Sequence, residues 1–284
     1  RWMLTLSEEH IRELDGVVER SRDLRLTETT ASDFEMPTFA RELRRVKSEL
    51  LMGGPGIALL RGVPVDRYTV EETVRAYWAM MVSLGDVDPV PQNAKGHMLG
   101  HVYDLGGDAS DPNTRIFTTS AAQPMHTDSA DIVGLLCLAE AVSGGESQVV
   151  SSTAVYREVQ RRAPELAREL TRPFVWSRKG EVPAGCEPWF AVPVFSEMGG
   201  NVCSIHDRSF IDAAQASFAR EGGPVEPLTE SQEAALRLAD ELAWSDELRL
   251  DMKLQPGDVQ LLHNHQIWHA RSAYEDDAED GRQR

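Results

Sequence analysis

Gln123-Pro124-Met125-His126-Thr127-Asp128 sets an imidazole and a carboxylate two residues apart. On an extended strand, residues two apart share a face, so His126 and Asp128 can meet one ion together. A third donor must come from a remote segment, and His206, His263, His265 and His269 are the downstream candidates. His269 lies in the strand-like run Gln266–Arg271 behind the apolar stretch Val259–Leu262, and a strand fixes a ligand more firmly than a loop does. Two imidazoles and one carboxylate on one face, with the opposite positions open, are the donor set expected of a non-haem Fe(II) oxygenase. The competing reading of His126 and Asp128 alone is a pair on a wet surface turn.

The surrounding pattern is one of short strands. Ile57–Leu60, Arg115–Thr119, Ile132–Leu138, Ser147–Ser151, Phe174–Ser177, Trp189–Val194, Asn201–Ile205, Glu247–Leu254, Val259–His263 and Gln266–Arg271 are apolar or alternating runs bounded by turn residues. Two helical inserts interrupt them. One spans about 153–170 and is split or kinked by Pro164; the other spans 231–244, with Thr229 as cap and Gln232 three residues on. Residues 1–55 read as helical. Ser7 caps a helix through Ile11, Leu14 and Val17, and a second helix covers Phe39 to Met52 and ends at Gly53-Gly54. Thr69 and Glu72 form a capping box for a third helix, which Gly85 terminates. Residues 86–113, rich in Gly, Pro and Asp, read as a long loop or lid. The expected fold is mainly β with packing helices, a double-sheet jelly roll over about 56–284 within one domain spanning 1–284.

Bulk composition narrows the partners. A net charge of −17 argues against nucleic acid and anionic membrane surfaces, both of which attract basic patches. No apolar run approaches the roughly 20 residues that span a bilayer. The three cysteines, Cys137, Cys186 and Cys203, are odd in number and far apart, which disfavours a disulfide scaffold or structural zinc and favours a reducing cytoplasm. Cys137 reads as a small core residue. The chain opens on Arg1 rather than Met, so it reads as a trimmed gene product, with no secretory leader at its start.

Taken with Gly144–Ser147, Gln255-Pro256-Gly257-Asp258, Asn264–Arg271 and Ala273-Tyr274-Glu275-Asp276, the chain resembles the TauD/TfdA (taurine dioxygenase-like) family of Fe(II)- and 2-oxoglutarate-dependent oxygenases from about Ile57 to its end. The resemblance implies a clavaminate synthase-like jelly roll with Fe(II) at its mouth, held by His126, Asp128 and His269. It implies 2-oxoglutarate and O2 as cosubstrates, with Ser147 offering a hydroxyl to the 2-oxoglutarate. An Arg beyond the last His would pair with its distal carboxylate; Arg284 fits best and Arg282 is the runner-up. The family continues past that Arg into a closing strand, whereas this chain stops at Arg284. It often has an Asn ahead of the last His, a place Asn264 fills; His263 reads as structural, and the Asn264-His265 pair as a turn.

The implied reaction oxidises an unactivated C–H bond of a small molecule as 2-oxoglutarate becomes succinate and carbon dioxide. Related halogenases replace the carboxylate with a small residue, so Asp128 disfavours halogenation. Substrate contacts are expected among Arg115, Arg271, Asn93, His97, His101 and Tyr103. Trp268 should face away from His269, into the core. The expected setting is secondary metabolism, with a homo-oligomer left open. The alternatives are a non-catalytic jelly-roll binding module and a zinc hydrolase using the same three ligands.

Overall fold

The computed structural model describes residues 2–92, 95–107 and 116–276. The amino-terminal part begins with β1 (Met3–Thr5), a short strand with no sequence signal of its own, and then turns helical as its caps dictate. Ser7 accepts from the His10 N–H while the His10 ring accepts from the Ser7 N–H, and this reciprocal box starts α1 (Glu8–Arg20). α2 (Pro37–Arg45) begins ahead of the expected Phe39, because Pro37 takes a first-turn position where its missing N–H costs nothing. The chain continues as a π-helix, Val46–Met52, which ends where the Gly53 N–H reaches the Ser48 carbonyl at 3.0 Å. β2 (Ile57–Arg61) follows, and the Thr69–Glu72 box starts α3 (Val70–Val82).

The second part supplies β3 (Gln123–His126), β4 (Ile132–Leu136), β5 (Ser143–Gly144) and β6 (Ser147–Ser151). The first helical insert is two helices, α4 (Ser152–Arg162) and α5 (Pro164–Leu170), with Pro164 opening the second, as its missing N–H requires. β7 (Pro173–Ser177), β8 (Trp189–Pro193), β9 (Phe195–Met198) and β10 (Asn201–Ser204) form two hairpins. α6 (Arg208–Phe218) is a helix the sequence reading lacks; α7 (Glu230–Ala243) carries the expected Thr229–Gln232 box. β11 (Arg249–Met252), β12 (Asp258–His263), β13 (Ile267–Arg271) and β14 (Tyr274–Glu275) complete the described elements.

One strand expectation is corrected. Within Arg115–Thr119, the described residues form a 3-10 turn, Ile116–Thr118, not a strand. Both the N–H and the hydroxyl of Thr119 bond back to the Ile116 carbonyl at 2.9 Å, so the local bond displaces a ladder. Residues 86–92 and 95–107 contain no helix or strand, in keeping with the loop expected there.

Two four-stranded sheets, ordered β1-β2-β12-β4 and β11-β6-β13-β3, form the jelly roll. Strand alternation sorts their side chains into three cores. Ile57, Val133, Val149, Leu262 and Ile267 come from both sheets and meet between them. Ala58, Leu60, Val259 and Leu261 face the other way, onto α1, α2 and α3. Met125, Val150, Trp268 and Ala270 face outward from the second sheet, onto α4, α5 and α7. The sheets are therefore covered on both faces, which is why Val259–Leu262 reads as nearly continuous apolar sequence rather than an alternating one. Among the described residues no helix is long and apolar enough to cross a membrane.

The Gln255–Asp258 motif has a structural job. Asp258 is buried and accepts two 2.9 Å bonds from the Arg61 guanidinium, locking the register of β12 on β2. Gly257 has φ +86°, and a Cβ there would lie 2.2 Å from the Val63 carbonyl oxygen. That carries both a left-handed backbone cost and a clash. Gly257→Ala is expected to destabilise the protein by about 2–3 kcal/mol, seen as a lower urea midpoint at unchanged slope. A change under about 0.5 kcal/mol would show that the turn relaxes freely.

Candidate metal centre

His126 ends β3, and His269 is its direct partner on β13. Side chains directly across an antiparallel pair share a face, so the two rings meet on the inner side, with centroids 4.2 Å apart. Trp268, one residue earlier, points into the helix-covered core as expected. Asp128 is reached differently from the sequence picture. β3 stops at His126, so Asp128 lies beyond its end rather than on a strand. Its carboxylate still closes the group, with Oδ1 3.6 Å from His126 Nε2 and Oδ2 3.4 Å from His269 Nε2. One ligand atom from each of the three residues lies within 4.8 Å of the others, the only such group of three or more His, Cys, Asp or Glu among the described residues.

The donor set fits a divalent cation. The His126 Nδ1 lies 2.9 Å from the Pro124 carbonyl, which leaves Nε2 aimed into the site. The Asp128 carboxylate is half exposed, and the desolvation it meets among its neighbours works against ionisation, but hydrogen bonds and charge from His126 and His269 prevail and hold its carboxyl far below the ordinary range. Burial likewise works against an imidazolium at His126, yet the Asp128 carboxylate outweighs it and raises that pKa. At His269, burial and the neighbouring His126 win, and the pKa falls. A ready carboxylate beside one easily deprotonated ring suits a metal, which needs both in their unprotonated forms. His126 is the ring that competes with protons. Metal affinity is therefore expected to drop as pH falls through its raised pKa, checked by Co(II) titration across pH; constant affinity would contradict it.

One neighbour of the centre was not marked in the sequence. Between the pairs His269–His126 and Arg271–Gln123, β13 advances two residues and β3 three, a bulge. Plain alternation would turn Gln123 outward with Met125; instead its amide nitrogen lies 2.9 Å from His126 Nε2. Only the register between two distant strands reveals this.

The other expected residues separate. Ser147 faces the interior opposite Arg271, buried, where its hydroxyl accepts from the Gln260 amide at 2.9 Å. Arg271 Nη2 donates to the carbonyls of Thr119 and Ala121, and the guanidinium lies 4.5 Å from the Tyr274 ring centre. His97 and His101 line a cavity of about 480 Å³ with Leu26, Thr27 and Trp78, none of them from the triad, and the His101 ring meets Tyr103 edge-on. Asn93, Arg115, Arg282 and Arg284 lie outside the described residues. His265 pairs with exposed Asp131 at 2.9 Å, and neither His263 nor His265 joins the group formed by His126, Asp128 and His269. His206 is fully buried, stacked on Trp268 at 4.2 Å and bonded to Asp240.

A helix-covered jelly roll with two imidazoles and a carboxylate converging on its inner face defines the class of mononuclear non-haem metal oxygenases. Within that class, the chain belongs to the family described as taurine catabolism dioxygenase TauD, TfdA, which matches residues 21–284. It is 34% identical over 235 residues to FR-33289 synthase of Streptomyces rubellomurinus (strain ATCC 31215), covering 82% of this chain and 67% of that one. It is 26% identical over 282 residues to the taurine hydroxylase-like protein SAT17 of Stachybotrys chartarum (strain CBS 109288 / IBT 7711), covering 96% and 70%. In structure it is similar to asparagine oxygenase in complex with Fe(II), 2S,3S-3-hydroxyasparagine and succinate, with TM-score 0.70, 18% identity and coverage of 100% and 91%. It is also similar to the non-haem iron oxygenase OrfP in complex with Fe and alpha-ketoglutaric acid, with TM-score 0.61, 16% identity and coverage of 98% and 90%. At those identities the structural likeness speaks for the fold. The expected jelly roll is thus borne out, and the protein is a dioxygenase.

Proposed function

We propose that this protein uses Fe(II) and 2-oxoglutarate to oxidise an unactivated C–H bond of a small molecule, as a tailoring step of secondary metabolism. The observation that carries the proposal is the convergence of His126, Asp128 and His269 on the inner face of the jelly roll. These residues would hold the ion through two imidazole nitrogens and one carboxylate oxygen. Bound Fe(II) supplies dioxygen activation, coupled to conversion of 2-oxoglutarate and O2 into succinate, carbon dioxide and an oxidised substrate. Asp128 would bring negative charge to the cation, and its presence disfavours halogenation, for which related enzymes carry a small residue at that place. The contact between His126 Nδ1 and the Pro124 carbonyl keeps that ring aimed. The apolar cluster Ile57, Val133, Val149, Leu262 and Ile267 between the sheets excludes water on the interior side. Gln123, beside His126 Nε2, is placed to hydrogen-bond an incoming ligand.

In the same reading, Ser147 offers its hydroxyl to 2-oxoglutarate once Gln260 yields, and Arg284, or else Arg282, grips the far carboxylate. Arg271, Asn93, His101 and Arg115 are candidates for the substrate side. FR-33289 synthase, by its name, makes a specific product, and a similar role in a biosynthetic route suits this chain. A reducing cytoplasm suits three free cysteines and a ferrous cofactor. We read residues 1–284 as one catalytic domain.

The test is anaerobic addition of Fe(II) and 2-oxoglutarate. A weak visible charge-transfer band should develop only with both present, followed by succinate release when air and a metabolite panel are supplied. No band, with tight zinc binding and hydrolysis instead, would overturn the reading.

A further inference from the structure

We infer that Asn264 is the positioning residue that makes Asp128 competent to bind metal, and that it acts through the Asp128 backbone rather than by touching the ion. The inference rests on the metal-centre reading above and adds to it.

The need for such a residue follows from the fold. His126 and His269 sit on paired strands, which fix their Cα positions. Asp128 has no ladder, because β3 ends two residues before it, and its side chain is about half exposed (48%). A carboxylate on an unladdered loop has many accessible directions, and a ligand must be held to within about 0.5 Å to be effective. Asn264 supplies the missing constraint. It sits fully buried in the turn between β12 and β13. Its Oδ1 accepts from the Asp128 N–H at 2.9 Å. Its Nδ2 donates to the Asp128 carbonyl at 2.8 Å and to the Ala130 carbonyl at 2.6 Å. Its own N–H donates to the Asp131 carbonyl at 3.0 Å. One side chain thus takes both the donor and the acceptor of residue 128, as a neighbouring strand would.

The placement has a second consequence. Asn264 is five residues before His269 and leads directly into β13. The turn that grips Asp128 therefore also starts the strand that carries the other ligand, so the two are set relative to each other by one short rigid piece. Thr127 is held from the opposite side, its N–H donating to the His206 carbonyl at 2.6 Å and its hydroxyl accepting from the His206 N–H at 2.9 Å. Loss of the Asn264 amide unties the backbone of residue 128 but leaves the other ties of the loop, the Thr127–His206 bonds and the Asn264 N–H to the Asp131 carbonyl, in place. The expected damage is to the aim of the carboxylate more than to the fold.

The test is Co(II) affinity by calorimetry, with the unfolding midpoint of the metal-free protein measured in parallel. Asn264→Ala should fold, unfold cooperatively and bind Co(II) about 10- to 100-fold more weakly than wild type, the usual range for a residue that orients a ligand. Asn264→Asp keeps an acceptor but loses both donors, and should weaken binding in the same range. His265→Ala removes the other side-chain tie of the same turn, the exposed pair with Asp131, and should leave affinity within about twofold. Wild-type affinity in both Asn264 variants would overturn the inference. So would an equal loss in His265→Ala, which would blame general loosening of the turn, or failure of both Asn264 variants to fold, which would make Asn264 a folding residue. Failure of the wild type itself to bind Co(II) would instead strike the metal-centre reading.

Discussion

Asp128→Ala is expected to abolish turnover and to weaken divalent metal binding by about a thousandfold or more. A charged ligand contributes several kcal/mol to holding a cation, and about 1.4 kcal/mol is a factor of ten. The substitution leaves the backbone atoms that Asn264 grips, so the loop keeps its course and the loss is one of charge and donor. It also removes the group that raises the His126 pKa, and that ring should titrate lower in the metal-free variant. The checks are calorimetric metal titration, succinate release and an NMR titration of the His126 ring. Metal affinity within tenfold of wild type would show that the ion, if any, sits elsewhere.

Trp268→Ala carries the largest expected cost in stability. The indole is fully buried, stacks 5.5 Å from Phe195 and 4.2 Å from His206 between ring centres, and donates to the Ser204 hydroxyl at 2.8 Å. Removing it leaves a cavity and takes away the bond that the buried Ser204 hydroxyl accepts, although that hydroxyl still donates to the Val194 carbonyl. The loss should be about 3–5 kcal/mol, with a fall in melting temperature on the order of 10 °C. Metal affinity should fall as well with the triad untouched, because His206, which braces Thr127, loses the surface it packs on. Differential scanning calorimetry checks the first effect and metal titration the second. A change below about 1 kcal/mol would mean that the helix-covered core refills.

The parts legible in the sequence were those set by local chemistry. Capping boxes at Thr69 and Thr229 depend on residues three apart, and Pro164 divides the helical insert wherever it stands. The triad was legible because His-x-Asp is a local spacing and Val259–Arg271 reads as buried strand on either side of a turn. What escaped depends on register between distant segments. Gln123 reaches the centre only through a bulge against β13, and Asn264 matters only because the β12–β13 turn lies over residues 128–131. The helix α6 escaped because its buried face is Ile211 and two alanines, too weak a stripe to stand out. At Ile116–Thr118 the β-branched residues suggested a strand, and a threonine bonding back to the chain made a turn.

The most direct measurement is an anomalous-difference map, recorded at the iron edge, from crystals loaded anaerobically with Fe(II). One peak bonded jointly to imidazole nitrogens of His126 and His269 and a carboxylate oxygen of Asp128 is the result expected here. Iron bound elsewhere, or held without Asp128, would contradict the account at its root.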